Sequence, residues 1–149
     1  MKEHLFRGKE IKTKKWVYGG FHEHKPFIAA IGKQPETEAL IIADGNADWD
    51  LPVPIKAHVV EKESVGLYSG FEDKNGVKIF TGDIVETEFV NTDDPRLTSF
   101  LGELRREIIE YRKDGLGTKT TNLSNNNYKF EIIGNTSDNP ELLKEAGLE

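Results

Sequence analysis

The segment from residue 65 to residue 85 constrains the fold most, because it reads as strands joined by tight turns. Its sequence is VGLYSGFEDKNGVKIFTGDIV, and Val77 and Ile79 alternate there with polar residues. Successive side chains of a β-strand point to opposite faces, so this period of two is typical of half-buried strands. Asn75-Gly76 predicts a tight turn between two strands, since both residue types tolerate positive φ angles. We therefore expect a β-rich fold around this segment.

Other parts of the chain also favour strands over helices. The predicted strands are 15–21, ending at the pair Gly19-Gly20 in a turn or bulge, the apolar runs 26–31 and 39–43, an edge segment 51–55 with alternate prolines, 58–61, 84–89 and 128–134. Asn139 followed by Pro140 predicts an N-cap and a short helix to Gly147.

Residues 100–112 fit two structures. Leu101, Leu104, Ile108 and Tyr111 have helical spacing. Read as a strand, the same stretch places apolar residues on both faces. The pattern alone slightly favours a helix.

Length and composition define the class of protein. The chain has 149 residues, which predicts one domain or at most two small lobes. It has no cysteine, which excludes disulfide scaffolds, Cys-ligated zinc and a thiol nucleophile. We predict a mainly β protein, with an N-terminal β lobe at 1–63, a small barrel-like (SH3-like) lobe at 64–138 and a C-terminal helix at 139–147.

Positive charge is concentrated near the N-terminus. Residues 1–35 have a net charge of +5, although the whole chain has −6. The candidate anion contacts in this region are Arg7, Lys9, Lys12, Lys14 and Lys15. With Trp16, Tyr18 and Phe21 they could form a basic aromatic platform for a single-stranded nucleic acid. The alternatives are a solvated charged face and aromatic side chains that belong to the core.

Two short motifs resemble metal sites. His22 and His24 lie on one face of a strand and could bind a metal with His58 or Asp44. Asp44, Asn46 and Asp48 have the spacing of the first ligands of an EF-hand, but Trp49 and Ile55 replace its glycine and its glutamate. The alternatives are solvated histidines and an ordinary polar turn, so we expect no metal and no cofactor.

Established catalytic motifs are absent from the sequence. The chain contains no P-loop, no GxGxxG, no HExxH and no GxSxG. Asp83, between Gly82 and Ile84, is more typical of a turn acceptor for backbone N–H groups than of a catalytic acid. We therefore expect a protein that is not an enzyme.

The segment 65–85 resembles the signature of the YopX family of phage and prophage proteins. The residues that match it and form its structural signature here are Gly66, Tyr68, Gly70, Asp73, Asn75, Gly76, Gly82, Asp83, Ile84 and Val85, together with Lys74, Ile79 and Phe80. Leu67, Ser69 and Phe71 depart from it mildly. Residues 6–9, 16–19, 130–135 and 139–143 resemble the opening and closing motifs of the family, so the resemblance spans nearly the whole chain as one unit.

The resemblance implies a β-rich protein encoded by temperate phages, and it carries over no catalytic residue. It also implies a strand that begins with glycine near 102–111, which favours a strand over the helix there. We expect an accessory protein of the bacterial cytoplasm that binds a host or phage protein, without a membrane segment and as a homo-oligomer. The alternative is a nucleic-acid-binding protein that uses residues 7–33.

Overall fold

The computed structural model describes residues 4–25, 36–44, 55–91 and 93–145, which form two compact units, Met1–Leu67 and Tyr68–Glu149. The sequence predicts a boundary between residues 63 and 64, and this boundary remains a prediction. The strands are β1 (Phe6–Lys9), β2 (Trp16–His24), β3 (Glu38–Asp44), β4 (Ile55–Val60), β5 (Gly66–Glu72), β6 (Lys78–Phe80), β7 (Asp83–Phe89), β8 (Leu104–Ile108), β9 (Glu110–Arg112), β10 (Gly115–Gly117) and β11 (Tyr128–Asn135). Lys62–Ser64 and Pro95–Phe100 are 3₁₀ turns, and α1 (Pro140–Glu145) is the described α-helix.

The mainly β class predicted from the sequence is confirmed. Every strand pairing in the described residues is antiparallel. The sequence also predicts a small barrel-like lobe at 64–138. The described sheets in this part of the chain are open. In the C-terminal unit the order β11-β7-β8 leaves β8 and β11 at the two edges of the sheet, so the described strands do not close into a barrel.

The strands of the N-terminal unit form an antiparallel sheet in the order β4-β3-β2-β1, and the first two residues of β5, Gly66 and Leu67, pair with β1. One face of this sheet holds the core of the unit, where Ala39, Ile41 and Val60 are buried. Phe6, Val17, Phe21 and Val65 pack against these three residues. The alternation in β2 thus places Val17 and Phe21 inside and Trp16 and Tyr18 on the opposite face.

The pair Gly19-Gly20 does not end a strand, contrary to the sequence prediction. β2 continues through both glycines to His24. A Cβ atom on Gly19 would lie 2.0 Å from the carbonyl oxygen of Ile42, whereas one on Gly20 would meet nothing within 4 Å. Gly19 therefore allows the close approach of two backbones, and its presence does not indicate a turn.

The C-terminal unit has its core against one face of the sheet β11-β7-β8. Its buried apolar residues are Ile79, Val85, Ile109, Leu123 and Phe130. The predicted strand 128–134 is confirmed as β11, which carries a bulge between Ile132 and Gly134 where it pairs with β7. The remaining pairs of this unit are β5 with β6 and β9 with β10.

The helical interpretation of residues 100–112 is wrong, and the strand implied by the family resemblance is correct. A 3₁₀ turn ends at Phe100, and β8 and β9 follow. Leu104 and Tyr111 of the apparent helical stripe are 56% and 66% exposed, whereas Glu107 and Ile109 are buried. The stripe is therefore not a core-facing surface, and the two buried residues are two positions apart, as on one face of a strand.

The C-terminal helix is confirmed as α1. The predicted cap would have the side-chain oxygen of Asn139 accept a backbone N–H of the first helical turn, but this oxygen is bonded to a residue before the helix. The side-chain oxygen of Asn139 accepts a hydrogen bond from the backbone N–H of Asn135 at 3.2 Å. The backbone carbonyl of Asn139 accepts one from Leu142 at 3.1 Å. The expected end of the helix at Gly147, the apolar run 26–31 and most of the segment 51–55 lie outside the described residues.

Candidate binding surfaces

The signature residues of segment 65–85 build two turns and the strands between them. Asp73 is 8% exposed, and its Oδ1 accepts hydrogen bonds from the backbone N–H groups of Asn75 and Val77, both at 2.9 Å. Its Oδ2 accepts one from Ile132 of β11 at 3.1 Å. This carboxylate therefore joins the turn to the neighbouring sheet.

The turn at Asn75-Gly76 differs from the mirror-image turn that this pair favours. Gly76 has φ +79°, but among the described non-glycine residues only Lys14 has a positive φ, so Asn75 keeps an ordinary backbone conformation. The Asp73 carbonyl accepts a hydrogen bond from Gly76 at 3.0 Å, which closes the turn. The predicted position of the turn is confirmed, and Gly76 is its residue with a positive φ.

Asp83 has the structural role that the sequence predicts. Its side chain is 1% exposed, and Oδ2 accepts a hydrogen bond from the backbone N–H of Phe80 at 2.8 Å. Gly82 beside it has φ +87°, which favours glycine, and Ile84 and Val85 after it are fully buried.

The other signature residues lie along β5. Gly66 pairs with Arg7 of β1. Tyr68 packs its ring 5.6 Å from that of Phe80, and Gly70, with φ +84°, lies within a register shift of the strand. The signature therefore describes how the chain turns and packs, and its side chains do not form a reactive cluster.

The five candidate anion contacts do not form one free basic surface. Arg7 is 8% exposed, with its guanidinium 4.7 Å from the centre of the Trp16 ring. Lys14 pairs with Glu61. Lys9 lies in β1 opposite Trp16, whereas Lys12 and Lys15 are exposed near the turn before β2.

The predicted platform of aromatic residues is divided between the two faces of the sheet. Phe21 packs in the core, as the alternative reading expected. Trp16 and Tyr18 lie on the opposite face, where the strand register places Arg7 and Lys9 beside them. Tyr18 is 49% exposed, so Tyr18 and Trp16, with the neighbouring Arg7 and Lys9, form part of the predicted basic aromatic surface.

The face opposite the core of the N-terminal unit also exposes aliphatic side chains. The registers β2–β3 and β3–β4 place Ile42, Val59 and Ile55 on the same side as Tyr18. Ile42 and Val59 are 36% and 37% exposed, and Ile55 is 63% exposed. We call these four residues the exposed sheet face. The apolar run 39–43 predicts a strand buried on both faces, and the exposure of Ile42 shows that this expectation is wrong for one of them.

The metal motifs do not gather a ligand set in the part of the chain that the structure describes. No group of three His, Asp or Glu side chains suited to a metal occurs among these residues. The rings of His22 and His24 are 6.4 Å apart on an exposed stretch of β2. His58 is bound elsewhere, since its Nδ1 donates a hydrogen bond to Oε2 of Glu10. Asn46 and Asp48 lie outside the described residues.

A cavity of about 340 Å³ lies in the C-terminal unit, and sequence reasoning did not find it. The residues that line it are Thr87, Phe89, Leu97, Phe100, Glu103, Arg105, Asn125, Asn127 and Tyr128. They come from β7, β8, β11, a 3₁₀ turn and a polar loop, so no short sequence motif marks the site.

The fold defines a mainly β protein whose signature residues form turns and buried contacts. The sequence model of the YopX family, described as YopX protein, matches residues 5–144. The chain belongs to the YopX family.

One solved structure is similar over the length of the chain. The crystal structure of protein EF1440 from Enterococcus faecalis has 18% sequence identity and a TM-score of 0.47, and the match covers 96% of this chain and 99% of that one. No curated protein matches. No helix in the described residues is long and apolar enough to span a membrane.

Proposed function

We propose that this YopX protein is a non-enzymatic accessory protein of a phage or prophage that acts through protein–protein binding and assembles as a homo-oligomer. The observation that supports this proposal is the exposed sheet face, Tyr18, Ile42, Ile55 and Val59. Antiparallel sheets commonly have one solvated, polar face. Here the side opposite the core also carries large apolar side chains, and contiguous patches of this kind mark interaction sites.

A second copy of the chain is the proposed occupant of this face. A two-fold contact places the same patch of both subunits together, so a flat apolar surface is complementary to itself. Ile42 lies on β3, which is between β4 and β2 in the sheet, and therefore near the middle of the patch.

The experiment compares sedimentation of the wild type with that of two lysine variants at micromolar concentration. The wild type is expected to have a mass that is a multiple of the 16.8 kDa chain. Ile42→Lys is expected to reduce this mass to that of one chain, because a charge would be buried in the contact. Val77→Lys, at a position 52% exposed in the C-terminal unit, is the matched control and is expected to leave the mass unchanged. A wild type that sediments as a single chain would refute the homo-oligomer.

Binding of single-stranded nucleic acid is the second candidate. The observation that favours it is the surface of Arg7, Lys9, Trp16 and Tyr18, where a guanidinium stacks on an indole ring and a tyrosine remains half exposed. A filter-binding titration with a single-stranded oligonucleotide at several salt concentrations tests it. Affinity that falls steeply with salt, and that Tyr18→Ala weakens, is the expected result, and affinity without salt dependence would remove this candidate.

A further inference from the structure

The cavity of the C-terminal unit has aromatic walls suited to a flat ring. Three aromatic side chains line it, and the ring of Phe89 has its centroid 5.3 Å from that of Tyr128 and 6.3 Å from that of Phe100, both in edge-on geometry. The volume of about 340 Å³ falls within the range of roughly 300–1,000 Å³ typical of ligand sites. Such walls favour an aromatic group, because edge and face contacts add to the burial of apolar surface.

Among the polar residues that line the cavity, Thr87 is a buried one with an unsatisfied hydroxyl group. The residue is 2% exposed, and its Oγ1 has no hydrogen-bond partner among the described residues. The register places Thr87 opposite Arg105 on one side and Phe130 on the other, so it lies on the cavity side of the sheet. Buried hydroxyl groups are normally satisfied, and one left without a partner is destabilising. A ligand with a hydroxyl or amide group would remove this penalty.

The charges around the cavity disfavour an anionic ligand. Nε and Nη2 of Arg105 both donate to Oε1 of Glu103 at 3.2 Å, so the arginine in the wall is already paired. Residues 68–149 contain 16 acidic and 10 basic residues, a net charge of −6. A phosphate-bearing ligand would be repelled by this field, and a neutral aromatic ring would not.

The strand that forms part of the wall is also an edge strand. Among the strands of the described residues, β8 pairs only with β7, at the end of the order β11-β7-β8. Backbone groups of an antiparallel strand point alternately to its two sides, so every second residue of β8 presents N–H and C=O groups away from β7. An extended chain can bind such an edge by strand addition, with alternate side chains entering nearby pockets.

We infer that the edge of β8 binds an extended segment of a partner protein that inserts a tyrosine side chain into this cavity, with its phenol hydroxyl bonded to Thr87. This inference rests on the proposed function, that the chain acts by protein binding, but it concerns a different surface. A tyrosine meets both requirements of the cavity, since it combines an aromatic ring with one uncharged polar group at its tip.

The test uses N-acetyl-tyrosine amide and N-acetyl-phenylalanine amide, which differ only in the hydroxyl group. Each is titrated into the full-length protein, and binding is followed by the backbone amide NMR signals of residues around the cavity. The tyrosine amide is expected to bind about fivefold more tightly, the usual net value of one hydrogen bond. Thr87→Val keeps the shape of the side chain without the hydroxyl and is expected to abolish this preference. Thr136→Val, outside the cavity lining, is the matched control and is expected to retain it.

Equal affinity for the two amides, no binding of either, or a preference that survives in Thr87→Val would overturn the inference. Uridine that displaces the tyrosine amide with higher affinity would overturn it in favour of a nucleobase site. Failure of self-association in the sedimentation experiment leaves the amide titration unaffected, so the proposed function and this inference fail separately.

Discussion

Two buried aspartates, Asp73 and Asp83, stabilise the turns of the C-terminal unit. Asp73 and Asp83 each accept backbone N–H groups that the turns would otherwise leave without a partner. A carboxylate is well suited to this role, because it only accepts hydrogen bonds and can accept several at once. The family signature therefore includes residues that stabilise the fold.

Asp83→Ala is expected to lower the free energy of unfolding by about 1–3 kcal/mol, because the N–H of buried Phe80 loses its acceptor. Chemical denaturation monitored by circular dichroism measures this difference. Asp93→Ala changes an exposed aspartate in the same unit and is expected to alter stability by less than about 0.5 kcal/mol. Equal stability of the two variants would contradict the role given to Asp83.

Glu10 gives the N-terminal unit a dependence on pH. Its hydrogen bond with His58, and a second one from Thr13, hold the pKa of this carboxyl below its ordinary value of 4.5. A carboxyl whose pKa is lower in the folded state stabilises the protein above its unfolded pKa, and this stabilisation is lost as the pH falls through the folded pKa.

Glu10→Gln is therefore expected to reduce the loss of stability that the wild type shows as the pH falls below 4.5. Urea unfolding at a series of pH values from neutral to acidic measures both proteins. Glu23→Gln, an exposed glutamate of β2, is the control and is expected to follow the wild type. A Glu10→Gln curve parallel to that of the wild type would contradict the assignment.

The pairing of strands β2 and β3 determines which glycine of β2 could carry a side chain. Gly19 and Gly20 are neighbours in β2 and look alike in the sequence, but only Gly19 faces the backbone of Ile42 at close range. The difference arises from the pairing with β3, which the sequence of β2 does not contain.

Gly19→Ala is expected to destabilise the protein by more than about 2 kcal/mol, because the new methyl group would meet a backbone oxygen that cannot move away without breaking the sheet. Gly20→Ala has open space and is expected to be neutral or to stabilise by about 0.5 kcal/mol. Thermal unfolding of the two variants under the same conditions measures the difference. Similar melting temperatures of the two variants would contradict the close approach of the Ile42 carbonyl oxygen to Gly19.

The sequence predicted the strands around segment 65–85 because their pattern is local. The alternation, the Asn75-Gly76 turn and the role of Asp83 all depend on residues close together in the chain. Residues 100–112 could not be assigned from their pattern, because Leu104 and Tyr111 are exposed apolar residues that imitate a helical stripe. The cavity was not predictable either, since Thr87, Phe100 and Asn125 meet only through the tertiary fold.

The described residues form two β-rich units, and each carries a different candidate surface for a partner. Opposite its core, the N-terminal unit has the exposed sheet face, for which we propose a second copy of the chain as occupant. The C-terminal unit has an aromatic cavity beside an edge strand, for which we infer a tyrosine-bearing segment. Two of the basic residues that suggested nucleic acid make contacts within the N-terminal unit, since Arg7 lies over the ring of Trp16 and Lys14 pairs with Glu61.

Self-association can be tested by cross-linking through an introduced cysteine, because the chain has no cysteine of its own. A single cysteine introduced as Ile42→Cys can be joined by a short bis-maleimide only to the same residue of a second copy. We predict that this variant forms a covalent dimer at micromolar concentration, whereas Tyr111→Cys, 66% exposed in the C-terminal unit, remains a single chain. Ile42→Cys that stays monomeric, or Tyr111→Cys that cross-links to the same extent, would contradict self-association through the exposed sheet face.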